Sequence, residues 1–171
     1  MNLMGSKPSS GLDATDRRLV LLLSRDGRRS AAALAKDLGL SRQAVAQRLK
    51  ELERRGVIRG YHAEVNPQAL GLAVRAQIRL SLDGSATRER EQDLVRRLAA
   101  NPMVRSVFRV SGEDCFVAHV QCRAIEDVTT LLAELKRSRA VQSSRTSFVL
   151  ETVIEKGGMG AVESALLPEG A

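Results

Sequence analysis

The stretch SRQAVAQRLKELER, residues 41–54, carries the side chains with the most legible chemistry. Read as a helix with Val45, Leu49 and Leu52 turned inward, it presents Arg42, Gln43, Ala46, Gln47 and Lys50 outward. Arginine matches the O6 and N7 of guanine and glutamine the N6 and N7 of adenine, each through a pair of hydrogen bonds. An alanine methyl can meet the methyl of thymine. Base-edge contacts come mostly from the N-terminal part of such a helix, so Arg42, Gln43 and Gln47 are expected at base edges, with Ala46 beside them. Ser41, Arg48, Lys50 and Arg54 are expected at phosphates, and Arg28 and Arg29 add backbone contacts just ahead of the preceding helix.

Such a row needs a scaffold, and residues 30–59 supply one. Ser30 caps a helix running to about Leu38 and burying Leu34, Ala35 and Leu38, and Gly39 offers the left-handed residue that ends it. Ser41 caps the next helix, which runs to about Arg55 and stops at Gly56. Two helices joined by a tight turn at Gly39-Leu40 make a helix-turn-helix, whose second helix enters the major groove. Ahead of them, Ala14 to Ser24 reads as a third helix with Leu12, Leu19, Leu22 and Leu23 as its apolar stripe and Asp13 or Thr15 as its cap.

The charge agrees with this placement. The chain has 171 residues and a formal charge of +7, and residues 1–65 hold 13 Lys/Arg against 7 Asp/Glu. The remainder is near balance, so the attraction to phosphate belongs to the half with the two-helix motif. With 2% aromatic residues and no Trp, stacking on single-stranded bases is not the expected binding mode. No apolar run reaches the roughly 18–20 residues of a membrane span, and no secretory signal is evident in the first residues. A cytoplasmic, nucleoid-associated protein is the expectation. Cys115 and Cys122 have no metal-ligand spacing. Their separation of seven would put them on opposite faces of a strand. His62 and His119 are lone histidines, and no cofactor is implied.

The second half has a different rhythm. Residues 57–65 read as a strand, broken at Asn66-Pro67, with a hinge to Gly71. Val74, Ala76, Ile78, Leu80 and Leu82 alternate along a half-buried strand over 72–82. A charged helix over 86–100 (Leu94, Val95 and Leu98 inward), strands over 103–110 and 115–122, a helix over 125–137 and a strand within 141–155 follow. That βαββαβ order predicts a four-stranded antiparallel sheet with both helices on one face. The other face is left for a second copy to cover. The expected fold class is α+β. An N-terminal helix-turn-helix, winged-helix-like DNA-binding domain (12–60) is followed by a linker strand and hinge (61–71). A C-terminal ferredoxin-like domain (72–155) completes it. Residues 1–11 read as a disordered lead, and 156–171 as a flexible tail in which VESALL can form a short helix.

Leu12-Asp13-x-x-Asp16, Leu34-Ala35, Gly39-Leu40-Ser41, Arg48-Leu49, Leu52-Glu53, Gly56-Val57-Ile58 and Tyr61 together resemble the N-terminal half of the Lrp/AsnC, or feast/famine, transcriptional regulators. Gly112 with its acidic neighbours and RTSFVL at 145–150 match two places in that family's second half, so the resemblance spans about residues 12–155. It implies a regulator that binds double-stranded DNA as a homodimer, often assembled into tetramers or octamers. It also implies an effector domain that senses an amino acid or related metabolite. The linker strand would pair between subunits and hold two recognition helices over a roughly palindromic site.

The same resemblance implies effector contacts at Gly112, Glu113, Asp114, Cys115, Thr146 and Ser147. The family's loop reads glycine, acid, aromatic, aspartate, aromatic, whereas this chain has Gly112, Glu113, Asp114, Cys115 and Phe116. Either a one-residue shift presents the Asp114 carboxylate to a ligand ammonium, or the loop is a hairpin turn shaped by its glycine and acids. Thr146 and Ser147 either bind ligand or are ordinary strand residues. Two other functions compete: an architectural protein that wraps DNA with little sequence selectivity, and an enzyme on the βαββαβ scaffold. The second lacks any nucleophile–base set, metal cluster or phosphate loop.

Overall fold

The computed structural model describes residues 11–154. The sequence-predicted tail, the helix over VESALL and all of the lead but Gly11 lie outside them. The chain forms two compact units, one holding residues 11–64 and the other 65–153.

The first unit is three helices, α1 (Ala14–Arg25), α2 (Ala31–Leu38) and α3 (Arg42–Arg54). Each begins on a side-chain cap. Asp13 accepts from the Asp16 amide at 2.7 Å, Ser30 from Ala33 at 3.2 Å and Ser41 from Ala44 at 3.1 Å. These bonds satisfy amides that no helical carbonyl can reach. Gly39 ends α2 at φ 66°, and the Leu40 amide closes on the Ala35 carbonyl at 3.0 Å. A residue with a side chain is strained there, so glycine fixes the length of the turn. Leu19, Leu34, Ala35, Val45 and Leu52 are buried together, with Leu12, Leu22, Leu23, Leu38 and Leu49 packed around them. The expected apolar stripes are therefore the faces that meet.

Residues 57–65 do not form the expected strand. The Val57 and Ile58 amides bond back to the Leu52 carbonyl, and among the described residues none of 59–65 makes a backbone hydrogen bond. A strand needs a neighbour for its amides and carbonyls, and the described residues offer none here.

The second unit starts at a 3-10 turn, Gln68–Leu70, and continues as β1 (Val74–Leu82), α4 (Arg88–Ala100), β2 (Val104–Arg109), β3 (Phe116–Cys122), α5 (Ile125–Lys136) and β4 (Val141–Phe148). The sheet order is β2-β3-β1-β4, and every neighbouring pair is antiparallel. One face is the core: Ala76, Ile78 and Leu80 of β1 and Phe116, Ala118, Val120 and Cys122 of β3 pack with Leu94, Leu98, Val128, Leu131 and Leu135 of the helices. Val95, expected inward, is 40% exposed. It lies about 100° around the helix from Leu94, beyond the buried stripe. The opposite face carries Arg75, Gln77, Arg79, Val117, His119, Gln121, Arg145 and Ser147 by register. No described helix covers it.

Strand β4, expected within 141–155, runs from Val141 to Phe148 and stops there because its partner β1 begins at Val74. Phe148 stands opposite Ala76, and the Val149 amide makes a last bond to the Arg75 carbonyl. The two thiols are free, and they do not take opposite faces as expected. Cys115 precedes β3, where strand alternation does not apply, and it packs against the same core that buries Cys122.

Candidate nucleic-acid interface and effector loop

On α3 the row anticipated from sequence is exposed: Ser41, Arg42, Gln43, Ala46, Gln47 and Lys50 all face solvent, and Val45 and Leu52 are buried. Arg42 and Lys50 have no carboxylate partner among the described residues, so their charge is free to meet phosphate or base. The Ser41 oxygen caps the helix, which leaves its hydroxyl proton as a donor.

The other cations assigned to phosphate differ from these two. Arg54 is held by Glu51 through two bonds of 2.8 and 2.6 Å, and Arg29 pairs with Asp37 at 2.5 Å. Arg28 is exposed, and its amide bonds to the Asp26 carboxylate at 3.0 Å in the turn before α2. Arg48 is the largest departure. Its Nη1 donates to Asp13 at 2.6 Å and to Asp16 at 2.7 Å, both on the first turn of α1. Its position on the helix explains this: Lys50 lies about 200° further round, so a side chain aimed at α1 cannot share the outward face. The carboxylates hold the Arg48 guanidinium firmly protonated. The Asp16 amide and Arg48 together pull Asp13 below the usual carboxylate range. Asp16 is 8% exposed, and sequence reasoning took its helical start for a simple capped turn. An acid three residues after another, facing an arginine in a later helix, was the available signal.

In the second unit the loop between β2 and β3 turns at Gly112, φ 115°, and is fastened at its base by Val110 to Cys115 (3.1 Å) and Cys115 to Leu80 (2.8 Å). Asp114 is directed inward, with its side chain 14% exposed. It accepts from Arg145 Nη2 at 3.1 Å and from Ser81 Oγ at 3.4 Å. Glu113 is open to solvent, and its carboxylate accepts from the same Arg145 nitrogen at 3.3 Å. Arg145 stands directly opposite Arg79 on the uncovered sheet face. Two cations there repel, and the loop's two acids offset that repulsion.

The six residues expected at one effector site are therefore not one cluster. Gly112, Glu113 and Asp114 share the loop, but the Asp114 carboxylate is already bound to Arg145 and Ser81. Cys115 packs into the core. Thr146 pairs with Ile78 on the helix-covered face and Ser147 with Gln77 on the opposite face. Ser147 also sits four residues along β1 from Ser81, about 13 Å from the loop. Arg145 and Ser81 are the loop's actual partners, and sequence reasoning assigned neither. Among the described residues no cluster of His, Cys, Asp and Glu is arranged to hold a metal, and no helix is long and apolar enough to cross a membrane.

Comparison with known proteins places both units. Residues 12–59 match a winged helix-turn-helix DNA-binding model and residues 75–159 the Lrp/AsnC ligand binding domain. The chain is 33% identical over 141 residues to the transcriptional regulator AldR of Mycolicibacterium smegmatis, covering 82% of each chain. It is 34% identical over 145 residues to LrpA of Mycobacterium tuberculosis, covering 84% of this chain and 93% of that one. Among solved structures, a transcriptional regulator of Neisseria meningitidis in complex with L-Met superposes at a TM-score of 0.78. It is 27% identical and covers 84% of this chain and 93% of that one. These domains and relatives are those of transcriptional regulators, not of enzymes. The chain belongs to the Lrp/AsnC family of helix-turn-helix transcriptional regulators.

Proposed function

We propose that this regulator reads duplex DNA sequence as a homo-oligomer, with α3 in the major groove and an amino acid or related metabolite adjusting its binding. The observation that carries the reading is the exposed row on α3, in which Arg42 and Lys50 are free of internal ion pairs and two glutamines flank Ala46. Arg42, Gln43 and Gln47 take base edges, Ala46 a thymine methyl, and Ser41, Lys50 and Arg28 the phosphates. Arg29 and Arg54 exchange an internal carboxylate for phosphate on binding. Residues 59–65, without backbone hydrogen bonds among the described residues, pair with the same segment of a second copy and set two recognition helices on one site. Such a protein works in the cytoplasm on the nucleoid.

An effector is supported by the ligand-binding description of residues 75–159 and by the L-Met complex of the Neisseria relative. In this chain a ligand ammonium at Gly112–Asp114 competes with Arg145 for the Asp114 carboxylate. The test is selection of 30-base-pair duplexes from a random pool, followed by anisotropy titration against the recovered sequence and a scrambled one. A recovered consensus bound much more tightly than its scramble supports the reading. Equal affinity for both across salt concentrations refutes it and favours an architectural protein. A thermal-shift screen with amino acids, repeated on Asp114→Ala, tests the effector. A shift lost in the variant supports the loop, and no shift with any amino acid refutes amino-acid sensing.

A further inference from the structure

We propose that Arg48 is a positioning residue for sequence readout: from the far side of the recognition helix it locks the roll of α3 to the capped start of α1. The proposal rests on the reading of α3 as the DNA-reading helix. Apolar packing in the buried cluster that holds Leu19 of α1 and Val45 and Leu52 of α3 sets how closely the helices approach. Such packing is non-directional, so a directional bond between the two helices adds to what fixes rotation about the helix axis. The bonds from Arg48 Nη1 to Asp13 at 2.6 Å and Asp16 at 2.7 Å are directional and charge-assisted.

Their anchor is itself fixed. Asp13 is the cap of α1, bonded to the Asp16 amide at 2.7 Å, and Asp16 is buried at the same turn. Two carboxylates against one guanidinium leave a surplus negative charge, which the N-terminal end of the α1 dipole favours. The lever arm shows why roll matters. With side-chain tips about 5–6 Å from the helix axis, a roll of about 10° moves the ends of Gln43 and Gln47 by roughly 1 Å. That is more than a paired hydrogen bond to a base edge tolerates.

The experiment compares affinity for the duplex selected by the wild-type protein with affinity for its scramble, with circular dichroism to follow folding. Arg48→Gln is expected to lose about tenfold on the selected duplex and less than about threefold on the scramble. Asp16→Asn removes a negative charge from a basic unit, so electrostatics alone would tighten both duplexes. The positioning role predicts the opposite on the selected one, a loss of about tenfold. Arg48→Lys is expected to stay within about threefold of wild type, because both bonds leave a single nitrogen and an ammonium has three donors. If Asp16→Asn does not fold, Asp13→Asn takes its place. It keeps a capping side chain at an exposed position and removes one charged partner.

A folded carboxylate variant that binds the selected duplex as tightly as wild type overturns the proposal. So does an Arg48→Gln loss that is equal on both duplexes, which would mark a phosphate contact. A wild-type protein with no sequence preference refutes the DNA-reading function itself, a separate outcome.

Discussion

Lys50 and Gln47 stand on the same exposed face of α3 and are expected to fail in different ways. Lys50 is an exposed cation with no internal carboxylate, so a phosphate contact from it releases a counterion when DNA binds. Two copies on one site lose one such contact each, which flattens the dependence of log K on log salt by about 1.8. Between 50 and 200 mM salt that amounts to a change of about 12-fold in the ratio of wild-type to variant affinity. Lys50→Ala should therefore look worse in dilute salt than in concentrated salt, and equally so on selected and scrambled duplexes. Gln47 is neutral, so Gln47→Ala should leave the salt slope alone and weaken only the selected duplex, by about 1–3 kcal/mol for each half-site. Arg54→Ala is the internal control, because its charge is already held by Glu51 at 2.6 Å and its effect on the slope should fall well below that of Lys50. Anisotropy titrations at four salt concentrations on both duplexes read all three. Equal slopes for Lys50→Ala and wild type, or a Gln47→Ala slope change as large as about 1.8, would refute the division of the face into phosphate and base contacts.

Gly39→Ala should destabilise the first unit by about 1–2 kcal/mol, because φ is 66° there and an added Cβ meets nothing that could explain a cost by collision. Denaturant unfolding measures it, and an unchanged midpoint would remove the left-handed turn from the argument. Asp13 is held below its ordinary value of 3.8 by the Asp16 amide and Arg48, so its contribution to stability is present above that pH and is lost as the pH falls through the lowered value. Melting curves should therefore show a steeper acid loss below about pH 4 in the wild type than in Asp13→Asn, and parallel curves would contradict the assignment. Arg145→Ala removes the cation shared by Asp114 and Glu113 and should speed hydrogen exchange at the Val110 and Cys115 amides that fasten the loop. Unchanged exchange would mean that the turn holds without its ionic partner.

What the sequence showed and what it hid divide along a physical line. Capping residues, the left-handed glycine and the apolar periods of α1, α2, α3 and β1 act within a few residues of themselves, and all of these were legible. Val45 and Leu52 are inward and Gln43, Ala46 and Gln47 outward because a 3.6-residue period fixes both faces at once. Interactions that span the chain were not legible by that route. Arg48 resembled a phosphate contact because composition records a cation on a basic helix. Only the fold brings Asp13 and Asp16, 35 and 32 residues away, to its guanidinium. The Arg145 that β4 delivers beside the Asp114 carboxylate was hidden for the same reason.

Residues 57–65 have the composition of a strand and lack one only for want of a neighbour, which no local pattern records. The unseen partners thus share a cause. Each belongs to a charged group or an extended backbone and lies outside the local window. Such partners decide whether a group is available to a ligand. The exposed row on α3 escapes this ambiguity because its two free cations, Arg42 and Lys50, are exposed and stand outside the apolar cluster of their unit. That row is also the one a major groove would receive.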